Sequence, residues 1–148
     1  MTFDDIVEAL GKRLEIEIED AGGAVAMEID GTNVVLQDAG ELLLLRAEVG
    51  EIPEEGKAEI LASAMKANFL YQGTGGATLA VNPADGTLHV HKYNWMERID
   101  AEAVLDALDK LADTASAWRK ILADYMPGAV PAHADHPPGL GDSGFMQV

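Results

Sequence analysis

The chain has 148 residues, of which 26 are acidic and 10 basic, for a formal charge of −16 at neutral pH. Such a chain repels phosphate backbones, which argues against direct binding of nucleic acid. It has no cysteine, so disulfides, thiolate metal sites and cysteine nucleophiles are excluded. With 48% apolar residues, one domain burying roughly two-thirds of the surface of its unfolded chain is expected.

The opening Met1-Thr2-Phe3-Asp4-Asp5-Ile6 carries acids where a leader peptide needs basic residues, and no apolar run is long enough to span a bilayer. The expectation is a cytoplasmic protein without membrane insertion. Thr2 is placed to cap a first helix, with Asp4 and Asp5 in the first turn, where acids suit the helix dipole. Phe3, Ile6, Val7, Leu10 and Leu14 form its apolar stripe. Glu15 to Glu19 alternates acids with isoleucines and is ambiguous, extended being one reading; Gly22-Gly23 then breaks the chain.

Three strands follow. Val25, Met27 and Ile29 alternate with Ala26 and Glu28, and Asp30-Gly31-Thr32-Asn33 turns into Val34-Val35-Leu36-Gln37. Asp38-Ala39-Gly40 turns again into Leu42 to Val49, completing an antiparallel meander. If Arg46 and Glu48 face solvent, parity puts Leu42 and Leu44 beside them, with Leu43, Leu45, Ala47 and Val49 in the core. Leucines on the solvent side point either to a second chain covering that face or to a strand buried on both faces by its own domain.

Pro53 precedes a second helix over residues 55–71, with Ile60, Leu61, Ala64, Met65, Asn68 and Phe69 on its apolar side. Gly73 to Gly76 leads into a hairpin whose alternating runs flank Asn82-Pro83-Ala84-Asp85-Gly86. Val104, Leu105, Leu108, Leu111, Ala112, Ala115, Trp118 and Leu122 then recur at helical spacing through a third helix over residues 100–125. The resulting order, α-β-β-β-α-β-β-α, is that of an α+β domain with helices on a twisted antiparallel sheet, over residues 1–126. Residues 127–148 are punctuated by proline and glycine and are expected to be a mostly disordered tail.

Catalytic chemistry finds little support. A phosphate loop at Gly73-Thr74-Gly75-Gly76 would need a helix N-terminus and usually a lysine after it, whereas a strand follows. His89 and His91 share one face of a strand and could ligate a metal with a third partner, but the other histidines, His133 and His136, sit in the tail. Polar residues on the exposed side of the hairpin explain the pair more economically. Asp106, Asp109 and Asp113 fall on a solvated helix face, and no serine has a Gly-x-Ser-x-Gly context. Trp118, Tyr125, Tyr93 and Trp95 read as anchors of helix against sheet in preference to a cofactor box. No catalytic residue, metal or cofactor is therefore expected.

Several segments, in order, carry a resemblance: Leu42-Leu43-Leu44-Leu45, Ile60-Leu61, Ala67-Asn68-Phe69-Leu70, Gly73 through Gly86 into Leu88, and Ala115-Ser116-Ala117-Trp118. Together they make residues 1–125 resemble the Tir chaperone (CesT-like) family, the class I chaperones of bacterial type III secretion. The resemblance implies a small acidic cytosolic homodimer that binds the non-globular N-terminal region of a secreted effector without hydrolysing nucleotide. The effector segment is then expected to meet Phe3 and Ile6 on the first helix and Val35, Leu42 and Leu44 on the sheet. Small side chains on the second helix, with the family's dimeric habit, place a subunit interface at Ala58, Ala62, Met65, Phe69, Thr78 and Ala80. The alternatives are an adaptor dimer that recognises a folded partner, and a small metal protein using His89 and His91.

The tail reading has a direct test. Truncation after Pro127 is expected to leave thermal melting nearly unchanged. A fall beyond about 8 °C, well over 1 kcal/mol for a domain of this size, would mean that the tail is packed.

Overall fold

A computed structural model describes residues 1–125; the tail assigned to residues 127–148 lies outside the described residues. The elements are α1 (Phe3–Leu14), β1 (Ala24–Ile29), β2 (Thr32–Ala39), β3 (Leu42–Glu51), α2 (Lys57–Asn68), β4 (Thr78–Val81), β5 (Thr87–Trp95) and α3 (Ala101–Asp124). Short 3-10 turns follow α2 at Phe69–Tyr71 and β5 at Met96–Arg98. The α-β-β-β-α-β-β-α order expected from the sequence is the observed one.

All strand pairs are antiparallel, in the spatial order β1-β2-β3-β5-β4. The β1–β2 hairpin turns on Asp30 and Gly31, both at positive φ (48° and 78°), the twist that a two-residue loop needs to match its strands. α3 lies across β3 and covers one face of the sheet, with further contacts to β1, β2 and β5. Its buried stripe, Val104, Leu108, Leu111, Ala115, Trp118, Ile121 and Leu122, meets Leu36, Leu43, Leu45, Ala47, Val49 and Val90 in one core. Each fully buried Leu or Val contributes about 1.5–3 kcal/mol relative to exposure, so this face dominates stability.

α1 begins in a reciprocal capping box. Thr2 N–H donates to Asp5 Oδ2 at 2.8 Å and Asp5 N–H donates to Thr2 Oγ1 at 3.2 Å. The same bonds hold the Asp5 carboxyl below the usual carboxylate range, the Thr2 amide contributing most. The helix then turns Phe3, Ile6 and Leu10 into the core, which corrects the expectation for two of them. Phe3 and Ile6 are 4% and 0% exposed and hold α1 to its own domain, so they are not a partner surface in this conformation.

α2 stops at Asn68, three residues short of the expected end, because Leu70 and Tyr71 adopt left-handed backbone (φ 53° and 58°). Asn68 ties this turn to the sheet. Its Nδ2 donates to Leu79 O at 3.0 Å, and Leu79 N–H donates to its Oδ1 at 2.8 Å. The outer edge of β4 is thereby satisfied by a side chain, a device that keeps an edge strand from pairing with another chain. Beyond it the chain packs tightly. Trp118, fully buried, donates from Nε1 to Gly73 O at 3.2 Å, and a Cβ on Gly73 would lie 2.5 Å from the Ala67 methyl. Gly73 to Gly76 is thus a helix-to-strand turn, as its sequence context indicates.

Arg119 braces β3 where its pairing with β5 shifts between Glu48 and Gly50. Its Nε donates to Val49 O (3.2 Å) and its Nη2 to Glu48 O (3.1 Å) and Thr32 Oγ1 (3.4 Å). The guanidinium satisfies carbonyls that the bulge takes out of the ladder.

Two substitutions test these contacts. Asn68→Ala is expected to cost roughly 1–3 kcal/mol in denaturant unfolding, since Leu79 loses both main-chain partners. Trp118→Ala is expected to cost about 3–5 kcal/mol through the cavity it leaves and the loss of the Gly73 bond. A change below about 0.5 kcal/mol for either would contradict the assigned role.

Candidate functional site: the outer face of the sheet

The face of the sheet opposite α3 follows from the period-two geometry of β3. Leu43, Leu45 and Ala47 are fully buried and Val49 nearly so, while Leu42, Leu44 and Arg46 are half-buried on the other side. Register then assembles a surface across three strands. Leu44 stands opposite Gln37 and Tyr93, Leu42 opposite Ala39 and Trp95, and Arg46 opposite Val35 and His91. Directly opposed residues share a face, so Val35, Leu42, Leu44, Tyr93 and Trp95 make one apolar row. Tyr93 and Trp95 are 52% and 50% exposed.

The two aromatics are the functional candidates that reading the sequence missed, having been assigned as anchors of a helix. Trp118 has that role, fully buried, and Tyr125 packs against the same core from the end of α3. The signal was present, because His89 and His91 were placed on the exposed phase of the hairpin and residues 93 and 95 continue it.

The row runs toward the free edge of β1. Asp38 N–H donates to Gly23 O (2.8 Å) and Ala21 N–H to Ala24 O (2.9 Å), which sets the alternation of the strand. Ala26 and Glu28 therefore turn their amides and carbonyls away from β2, and no described group bonds them. A groove of about 370 Å³ lies along this edge, walled by Ile16, Ile18, Ala26, Met27 and Val35. The stretch 15–19, ambiguous in sequence, forms one wall without becoming a strand. The opposite edge of the sheet is closed by Asn68.

His89 and His91 do share the outer face, near Arg46 and Glu48. His89 Nε2 lies 2.7 Å from Thr87 Oγ1, which donates to Asp85 Oδ1 at 2.7 Å, and the His91 and Tyr93 rings meet edge-on at 6.2 Å. Burial first, then the Arg46 charge, pushes both imidazoles below their ordinary range, so both are neutral near pH 7. Their contribution to stability is present above the unfolded imidazole pKa and is lost as pH falls below it. Among the described residues no three His, Asp or Glu side chains are grouped as metal ligands. His133 and His136 lie outside the described residues.

A second apolar surface sits at the end of α2. Ala58 and Ala62 are exposed, Thr78 and Ala80 half-buried. Met65 and Phe69, expected on the same apolar side as Ile60 and Ala64, are instead 72% and 61% exposed, because Ile60, Ala64 and Ala67 alone face the core. Leu70 and Tyr71 are exposed beside them in sequence, and Val81 is exposed at the end of β4. Met65, Phe69, Leu70 and Tyr71 together expose more apolar surface than singly scattered side chains do.

No helix among the described residues is long and apolar enough to cross a membrane. No curated protein sequence matches the chain. Three solved structures share its fold at low identity. A chain of the HopA1–SchA chaperone–effector complex matches with TM-score 0.65 and 20% identity, over 80% of this chain and 93% of that one. A chain of the heterodimeric ExoU–SpcU complex from the type III secretion system of Pseudomonas aeruginosa matches with TM-score 0.66 and 17% identity, over 79% and 97%. A chain of the ExsC–ExsE complex matches with TM-score 0.63 and 17% identity, over 79% and 90%. The model of the Tir chaperone protein (CesT) family matches residues 5–119, a span that takes in every element of the sheet and most of α3, and the chain belongs to that family.

Proposed function

We propose that this protein is a bacterial type III secretion chaperone that binds the extended N-terminal region of a secreted effector and keeps it soluble and competent for export. It works in the cytosol, as a homodimer, by binding rather than by catalysis. The observation that carries the reading is the apolar row Val35, Leu42, Leu44, Tyr93 and Trp95, which continues to an open strand edge. A folded partner needs a complementary surface, whereas an extended chain needs alternate side-chain contacts and main-chain partners, and this face offers both. Family membership and the chaperone–effector complexes among the structural neighbours support the same conclusion.

Ordering a non-globular segment costs several kcal/mol, so a large contact area is required. A dimer doubles it. The surface at Ala58, Ala62, Met65, Phe69, Thr78 and Ala80 suits a second copy, since its large side chains are apolar and lie away from the β1 edge.

Two experiments test the reading. Leu44→Asp is expected to leave the fold intact and weaken capture of an effector N-terminal segment by about tenfold or more, roughly 1.4 kcal/mol. His89→Ala with His91→Ala is expected to leave capture nearly unchanged; the opposite pattern would overturn the assigned surface, and capture of folded domains alone would mark an adaptor. Light scattering at micromolar concentration is expected to give twice the 15.7 kDa chain mass, and Met65→Glu with Phe69→Glu to give the monomer. A wild-type monomer, or a dimer indifferent to both changes, would remove α2 from the interface.

A further inference from the structure

A cleft of about 390 Å³ opens between the second half of β5 and the first half of α3. Its composition runs against that of the chain. Lys92, Arg98 and Lys110, three of only 10 basic residues, line it together with a single carboxylate, Asp106, in a protein that carries 26 acids. Asn94 lines it too, and its Nδ2 is buried without a hydrogen-bond partner among the described residues. An unpaired buried donor is costly, and such groups in folded proteins ordinarily find a partner.

The cations are available. Lys92 makes no ion pair among the described residues. Lys110 pairs with Asp106 at 2.8 Å and Arg98 with Glu97 at 3.3 Å, but both pairs are exposed, where such contacts are worth about 0–1 kcal/mol and exchange readily. Ammonium, guanidinium and amide groups all donate, so the complement is a group that only accepts. A carboxylate fits, with two oxygens for a guanidinium fork and a further donor.

The position of the cleft indicates where that carboxylate comes from. β4 pairs with β5 only between His91 and Leu88, so Lys92 to Trp95, paired with β3 on one side, have no strand on the other. Tyr93 and Trp95 line the cleft and also belong to the apolar row of the outer face, while Lys92 and Asn94, opposite Leu45 and Leu43, alternate onto the α3 side of the same open edge. A chain that lies on that row and turns over this edge meets the opening. We propose that Lys92, Asn94, Arg98 and Lys110 form a pocket for an Asp or Glu side chain of the bound client segment, fixing the register of that segment on the apolar face. The proposal rests on the effector-binding reading above and adds an acidic residue to what the client must supply.

The test is selection of randomised extended peptides, displayed on phage, against the 148-residue chain and against an Arg98→Gln/Lys110→Gln variant. Both side chains are exposed, and melting would verify the fold; Lys92→Gln replaces the pair should it melt early. The expected result is an Asp or Glu enriched by about tenfold or more at one fixed spacing from apolar positions, lost in the variant and weakened by salt. Peptides without an acidic preference, or with one that the variant retains, would overturn the pocket while leaving the apolar face standing. Failure to select any peptide would overturn both. A pocket filled by inorganic phosphate, detected through Trp95 fluorescence, alongside acid-indifferent peptides would show a free-anion site and refute the proposal.

Discussion

The constraint on which the structure depends is that β3 is apolar on both faces and only one of them is covered by α3. Leu43, Leu45, Ala47 and Val49 interdigitate with the buried stripe of that helix, centred on Trp118. Because side chains alternate strictly, committing those residues to the core forces Leu42 and Leu44 outward. The central strand cannot satisfy its own hydrophobicity within the domain. A surface held rigid by the core thus presents apolar groups without depending on flexibility, and preorganisation of this kind lowers the entropy cost of binding.

The two edges of the sheet are treated differently, and that asymmetry divides the labour of the surface. At β4 the Asn68 amide substitutes for a neighbouring strand, while Met65 on α2 and Phe69, Leu70 and Tyr71 in the adjoining turn are exposed. At β1 the main-chain groups of Ala26 and Glu28 remain open beside the Ile16 and Ile18 groove. A side-chain-closed edge suits contact through side chains, as between folded subunits. An open edge suits an incoming extended chain. The acidic surroundings keep these apolar patches soluble, since a net charge of −16 opposes close approach of identical molecules except where packing outweighs it.

Much of this was legible because it follows from periodicity. The stripe of α3, the Asp30-Gly31 turn and the two phases of β3 are each local patterns with one structural solution. Amphipathicity alone does not say what a helix stripe faces. Phe3 and Ile6 lie on the same stripe as Leu10, and nothing local distinguishes a core contact from a partner contact until α1 docks. The converse holds for Met65 and Phe69, whose spacing from Ile60 is helical but whose side chains are exposed. Tyr93 and Trp95 were recoverable by extending the parity of the hairpin by four residues. Arg119 on the β3 bulge and Asn68 on Leu79 were not, since each joins elements whose meeting is set only by the tertiary fold.

The most direct test of the central claim is transferred cross-saturation by NMR, irradiating a bound effector segment and reading attenuation at the amides of this protein. The account predicts the strongest attenuation at Leu42, Leu44, Tyr93 and Trp95, extending through Val35 to Ala26 and Glu28 on the β1 edge. Attenuation confined to the Met65–Tyr71 stretch or to the solvent face of α3, with the outer sheet face unaffected, would contradict it.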